Sequence, residues 1–251
     1  MKKKLCAAVL ALSLACPSFH AQNLVNETPE QKDKRMEWFH KAKLGIFIHW
    51  GIYAVKGVSE SWSFYNKYLP HDEYLKQCEG FTASKYDPKA WVELIKESGA
   101  QYTVLTTKHH DGVALWDTKQ NGISVVKNTP AKRDLVTPFV NEVRKAGLRL
   151  GLYYSLPDWS HPDYPNMTRT DVRYKDDPKR WDAFCKFNFG QLKELNTTYK
   201  PDLYWFDGDW EMSAETWRAK EIMELLRSTN KDVIVNSRIT GYGDYATPEQ
   251  G

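Results

Sequence analysis

Hydrophobic positions fall into short unbroken runs that alternate with longer amphipathic stretches. Residues 44 to 50, Leu-Gly-Ile-Phe-Ile-His-Trp, are apolar without alternation and predict a buried strand. Residues 90 to 98 predict a helix with Trp91, Leu94 and Ile95 on its inner face. Further strands are expected at 102–107, 148–154, 202–206 and 232–236. Between them, helices are expected at 134–146, 181–199 and 214–228. The first of these turns Leu135, Phe139 and Val143 inward and stops at Gly147. No internal repeat or low-complexity linker interrupts the series.

Strand and helix in strict alternation predict a parallel sheet. The first strand is followed by a long Trp-rich loop and not by Gly-x-Gly-x-x-Gly, which argues against an open dinucleotide-binding sheet. A barrel fits better, because each strand delivers a polar group at its carboxyl end: His49, His109 and His110, Tyr154, Asp207 and Arg238. Parallel barrel strands converge those ends on one rim. The expected class is therefore α/β, a (β/α)8-type TIM-like barrel. It is apparently incomplete, with five βα units. About three more units of roughly 30 residues each would close it, and the sequence is expected to be part of a longer protein.

Charge first suggests a basic protein, with 35 Lys plus Arg against 32 Asp plus Glu. Lys2, Lys3 and Lys4 account for that whole excess. They precede a short apolar run to Cys16 and a small residue, Ala21, which is the layout of an export signal over residues 1–21. The expected mature domain, 22–251, is neutral, which removes the case for a nucleic-acid partner. The apolar run is too short to span a membrane. A lipid anchor at Cys16 is the alternative to cleavage after Ala21, and periplasmic or secreted localisation follows from either. Only Cys78 and Cys185 then remain, expected as two buried thiols without a metal motif. An ordinary apolar and charged content excludes a disordered, fibrous or multi-span chain. Aromatics reach 14%, including 10 Trp, enough to supply flat stacking surfaces as well as core.

The chemistry centres on Asp207, which a buried strand delivers to the rim between Trp205 and Trp210. Such a carboxylate can serve as nucleophile or metal ligand. Glu249 is the second carboxylate candidate. A separation of about 5–5.5 Å between two such groups gives retaining glycoside hydrolysis, and a wider one inversion. His109 and His110 are neighbours, so bringing both to one ligand requires a break or bulge at the strand end. With His49 they can bind hydroxyls, or hold a metal together with Asp207. Arg238 ends an apolar run and needs a carboxylate: Asp207, Glu249 or substrate. His71 and His161 are expected in solvated loops. Trp62 leads the aromatic candidates, with Trp50, Trp116 and Trp159 also near strand ends.

Five motifs resemble the α-L-fucosidases of glycoside hydrolase family 29. They are Leu44-Gly-Ile-Phe-Ile-His-Trp-Gly51, Thr106-Thr-Lys-His-His-Asp-Gly112, Lys132-Arg-Asp134, Gly151-Leu-Tyr-Tyr-Ser155 and Trp205-Phe-Asp-Gly208. The resemblance implies a retaining exo-glycosidase that releases terminal α-L-fucose from a fucosylated oligosaccharide or glycoconjugate. It implies no metal and no cofactor. It makes Asp207 the nucleophile and Glu249 a candidate acid/base. The sugar would be bound by His49, Trp62, His109, His110, Tyr154 (chosen over Tyr153), Trp205 and Arg238. One departure stands out: relatives often carry Glu directly before the loop Trp, where this chain has Ser61, with Glu60 one place earlier. The family's C-terminal β-sandwich has no counterpart in these residues. Two other readings are a metal-dependent TIM-barrel hydrolase built on His49, His109, His110 and Asp207, and an inactive sugar-binding remnant.

Overall fold

The computed structural model describes residues 27–248. Helix α1, Pro29–Ala42, opens them and was not foreseen. Its start is written in Thr28 and Gln31, which form a reciprocal capping box, with Pro29 in the first turn. Five parallel strands follow: β1 Gly45–Ile48, β2 Tyr102–Lys108, β3 Arg149–Ser155, β4 Leu203–Asp207 and β5 Ile234–Val235. They lie in sequential order β1-β2-β3-β4-β5, as successive βα units of a barrel do. The connecting helices are α2 Pro88–Glu97, α3 Val136–Lys145, α4 Pro178–Tyr199 and α5 Ala219–Thr229.

Helix boundaries shift from the expected ones for local reasons. Asp87 and Asp177 cap α2 and α4 just before a proline, so both helices begin two or three residues early. The Asp134 carboxylate accepts the amides of Val136 and Thr137, which places it outside α3. Arg218 takes a left-handed conformation, φ 55°, and delays α5 until Ala219. Strand β5 is shorter than expected because Asn236 replaces ladder bonds with its side-chain amide, accepting from Phe206 N–H and donating to Phe206 C=O, each at 2.8 Å. Strand β1 is half-buried, not buried, since only β2 pairs with it among the described residues.

The sheet has two unlike faces. Tyr154, Leu105, Leu152, Tyr204, Phe206 and Val235 pack under the connecting helices in the main core. Val104, Tyr153, Leu203 and Ile234 face the other way, with Phe47 and Trp205, and meet Met36, Trp38 and Phe39 of α1. Arg35 of α1 pairs with Glu27 and with Asp244, at 2.8 Å, beneath the sheet. Cys78 and Cys185 are both free and buried, and burial pushes the thiols up to about 12 and about 11.

Helix α2 corrects the expected inner face. Val92 and Ile95 are buried, Trp91 is half-buried, and Leu94 is 65% exposed. At 3.6 residues per turn Leu94 lies about 110° from the middle of the stripe made by Trp91, Val92 and Ile95. Urea unfolding should therefore separate the two positions. Ile95→Ala should cost about 2–5 kcal/mol, whereas Leu94→Ala should change stability by less than about 0.5 kcal/mol.

Candidate active site

The carboxyl ends of the strands meet around Asp207, the last residue of β4. Its Oδ1 accepts from Arg238 Nη1 at 2.5 Å and from the Gly208 amide at 3.1 Å. Its Oδ2 accepts from Tyr153 Oη at 2.8 Å and lies 3.5 Å from His110 Nε2. Arg238 thus has Asp207 among its partners, the first of the three alternatives expected for it. Gly208 follows at φ 83°, where a Cβ would fall 2.3 Å from the Pro157 ring, so the turn beside the carboxylate requires glycine.

Two cavities share His49 and Asp207. One, about 450 Å³, is lined also by Glu60, Trp62, His109 and Trp210. The other, about 250 Å³, adds Phe47, Tyr153, Trp205, Arg238, Thr247 and Pro248. A larger cavity of about 680 Å³ lies at the opposite strand ends, by Glu27, Arg35, Asp202 and Arg227, and contains none of these groups.

The expected break before the histidines is present. Thr106 pairs with Tyr153 and Lys108 with Tyr154, so Thr107 is an extra residue in β2. The His109 and His110 rings then lie 4.4 Å apart. His109 stacks on Tyr153 at 5.7 Å and 10°, and His49 crosses it edge-on at 4.9 Å. Trp159, fully buried, backs His110, and Trp62 meets His110 edge-on.

Tyr154 is the correction. Its hydroxyl points to the helix side, 2.6 Å from Asn188 Oδ1 and 2.8 Å from Gln191 Oε1, with one proton to give to either. Tyr153, the rejected neighbour, reaches Asp207. Period two decides this: Tyr153 pairs with Trp205, and Trp205 shares a face with Asp207. Trp62 and Trp205 line the cavities. Trp50 instead packs with Phe81, Tyr86 and Trp91, and Trp116 is buried with its indole N–H on Glu194. His71 and His161 are half-buried, against Ser160 and Phe187 respectively, rather than solvated. Glu249 and the export-signal residues lie outside the described residues.

Sequence reasoning gave no site role to Phe47 or Lys108, and it passed over Tyr153 for its neighbour. It also left open what becomes of Glu60 and Ser61. Ser61 is fully buried with Oγ 2.5 Å from His109 Nδ1, while Glu60 lines the larger of the two rim cavities from a left-handed backbone, φ 31°. A carboxylate thus stays at the cavity wall despite the one-residue offset, at some cost in backbone strain. Lys108 is wholly buried beneath the site, 3.0 Å from Tyr154 Oη, and burial lowers its amine to about 8.

His109, His110 and Asp207 bring three ligand-type atoms within 4.8 Å of one another. The same carboxylate already carries a guanidinium at 2.5 Å, and its other oxygen accepts a phenol. A cation there would meet Arg238 at close range, so the set suits hydrogen bonding better than metal binding. Burial lowers the pKa of all three rim histidines, that of His109 well below the usual value and that of His110 to about 4. They are neutral hydrogen-bonding groups at neutral pH.

That state has a stability consequence. Unfolded His110 takes up a proton as pH falls below about 6.5, and the folded protein does not until about 4. Stability is therefore lost as pH falls through this window. Asp111, raised from 3.8 to about 6 by burial, acts in the opposite sense below 6. Comparison with His110→Gln isolates the histidine: the parent's stability relative to the variant should drop by about 2 kcal/mol between pH 7 and pH 5, read from urea unfolding.

A family model described as alpha-L-fucosidase matches residues 12–251. Tissue alpha-L-fucosidase of Mus musculus is 34% identical over 225 residues, covering 80% of this chain and 47% of that protein. The Macaca fascicularis enzyme of the same name is 33% identical over 240 residues, covering 87% and 50%. Alpha-L-fucosidase isoenzyme 1 from Paenibacillus thiaminolyticus superposes with TM-score 0.81 at 37% identity, over 87% of this chain and 56% of that one. AlfC from Lactobacillus casei, solved in complex with alpha-L-fucose product, gives 0.71 at 31%, over 84% and 73%. The chain spans about half the length of the curated relatives it matches. Motifs, strand order and these likenesses agree: the chain belongs to the alpha-L-fucosidase family.

Proposed function

We propose that this chain carries the sugar-recognising and nucleophilic half of a retaining α-L-fucosidase site, acting on terminal α-L-fucose of a fucosylated glycan. One observation supports it above others. Asp207 stands over a cavity walled by neutral histidines and tryptophans, with Arg238 and Tyr153 holding its two oxygens. Oδ1 accepts two donors, whereas Oδ2 accepts only Tyr153 among the described residues and keeps a lone pair. In this reading Oδ2 attacks the anomeric carbon, the glycosidic oxygen leaves with a proton, and a glycosyl–Asp207 ester forms. Arg238 balances the carboxylate's charge before attack. Water then cleaves the ester. Glu249, by sequence, is the group assigned to give that proton and later take one from water. The aromatic walls suit the methyl and C–H face of a 6-deoxy sugar.

Asp207→Ala should lower hydrolysis of an aryl α-L-fucoside by about 10³-fold or more, the scale for removing a member of a covalent catalytic unit. L-fucose binding should persist. Retained hydrolysis in that variant would remove Asp207 from the role.

We also propose export by a cleaved signal over residues 1–21, on the strength of the basic start, the short apolar run and Ala21. N-terminal sequencing of the mature protein should then begin at Gln22; lipidated Cys16 would contradict it.

A further inference from the structure

The two adjacent histidines rest on different hydrogen-bond relays, and counting protons along each fixes which ring nitrogen carries hydrogen. Behind His110, Ser155 Oγ lies 2.6 Å from Nδ1 and 2.5 Å from the Pro157 carbonyl oxygen. A carbonyl only accepts, so the single Ser155 proton goes to Pro157. Ser155 must then accept from His110 Nδ1–H. The neutral ring presents a bare Nε2, and that atom is buried without a hydrogen-bond partner, facing Asp207 Oδ2 at 3.5 Å. Two acceptors thus face each other, with no donor shared between them among the described residues.

Behind His109 the relay is longer. Nδ1 lies 2.5 Å from Ser61 Oγ, Tyr74 Oη lies 2.6 Å from Asp111 Oδ2, and Ser61 adjoins the Tyr74 phenol closely enough to favour its charged form as a donor would. All four residues are nearly or fully buried. An ionised Asp111 only accepts, so Tyr74 donates to it, Ser61 donates to Tyr74, and His109 Nδ1–H donates to Ser61. Here too Nε2 is the bare nitrogen. The difference lies at the far end. Pro157 C=O cannot take a proton, whereas the Asp111 carboxyl can. A protonated Asp111 donates to Tyr74, each hydroxyl turns over, and Ser61 donates to Nδ1. The ring proton then resides on Nε2.

We propose that Ser61, Tyr74 and Asp111 are positioning residues forming a reversible relay that sets His109 as acceptor or donor toward the sugar, while Ser155 and Pro157 lock His110 as an acceptor. No net charge enters the His109 ring in either setting. Burial places the Asp111 titration at about 6, so the reversal falls within a working pH range. Asp111 is faced by Tyr74 and Cys78 from the loop after β1, by Lys108 of β2, and by Asp158 after β3. His109 is faced by His49, His110 and Tyr153. The identity of the sugar rests on the fucoside reading above, but the tautomers do not.

The test is ¹⁵N NMR of histidine-labelled full-length chain without ligand, with signals assigned through His109→Gln and His110→Gln. At pH 7.5 both rings should be protonated on Nδ1. As pH falls through about 6, His109 should shift to the Nε2–H form with no change at His110. Asp111→Asn presents an amide donor to Tyr74, so it should hold His109 in the Nε2–H form at every pH and weaken L-fucose about tenfold, the effect of one lost hydrogen bond. Tyr74→Phe leaves the Ser61 proton no other acceptor and should produce the same tautomer. His109 carrying its proton on Nε2 in the parent chain at pH 7.5, or a tautomer indifferent to both pH and Asp111→Asn, overturns the proposal. If the variants do not fold, the parent titration alone decides. Correct tautomers with no L-fucose binding would sink the fucoside reading and leave the relay standing.

Discussion

Thr107 is the residue too many in β2, and the arrangement of the rim depends on its being accommodated. The bulge sets which face the chain presents as it leaves the strand at Lys108, and because the extended backbone ends there, His109 and His110 are not held to opposite faces. The extra residue is not left unsatisfied. Its hydroxyl donates to the Tyr153 carbonyl at 2.6 Å, and its own carbonyl accepts the Leu115 amide at 2.9 Å. That last bond also folds the segment after the histidines back onto the strand. His109 lines the larger rim cavity, Tyr153 lies parallel to it, and the Tyr153 phenol is carried to Asp207. The bulge therefore sets the histidines, the tyrosine and the free side of the carboxylate together.

The electrostatic pattern follows from that packing. The described rim has one close ion pair, Asp207 with Arg238, and three histidines that burial keeps neutral. Neutral imidazoles surrounded by aromatic rings recognise hydroxyl groups by direction, with little dependence on ligand charge. Such a wall does not suit an anion, whose charge would meet the Asp207 and Glu60 carboxylates and one arginine already engaged. Trp210, half-exposed, lies 5.0 Å under the Arg238 guanidinium and near-parallel to Trp62 at 6.3 Å. It ties the ion pair to the aromatic wall and helps hold Arg238 at the carboxylate.

Much of this was legible in the sequence, and the failures have physical causes. Unbroken apolar runs located all five strands, and polar residues at their ends located Asp207, His49, the histidine pair and Arg238. The need for a bulge was legible too, since two adjacent histidines cannot otherwise share a ligand. Tyr153 was not chosen because the face of a residue depends on pairing register, which one strand alone does not contain. Once Tyr153 is set opposite Trp205, the choice is forced. The inner face of α2 failed through a rotation of about 110°: Leu94 is as apolar as Ile95, and only the neighbouring layer decides which is covered. Helix α1 was missed because its apolar residues are few, although its Thr28–Gln31 cap was in plain sight. Glu249 lies outside the described residues, so its place relative to Asp207 rests on sequence.

The displaced glutamate gives this member its own character. Relatives that place Glu directly before the loop Trp put a carboxylate where this chain has Ser61. A carboxylate beside His109 Nδ1 would hold that ring in one tautomer by charge alone, and no proton relay would be needed. Serine is uncharged and has one proton to give, so the state of His109 passes to whatever Ser61 touches next. Here that is Tyr74 and, through it, a buried carboxyl whose affinity for protons burial has raised. Glu60 meanwhile keeps a carboxyl group at the cavity wall, in a backbone conformation that a non-glycine residue adopts only under constraint. One offset in sequence thus puts the carboxylate at the cavity wall and an uncharged hydroxyl beside the histidine, in two neighbouring residues.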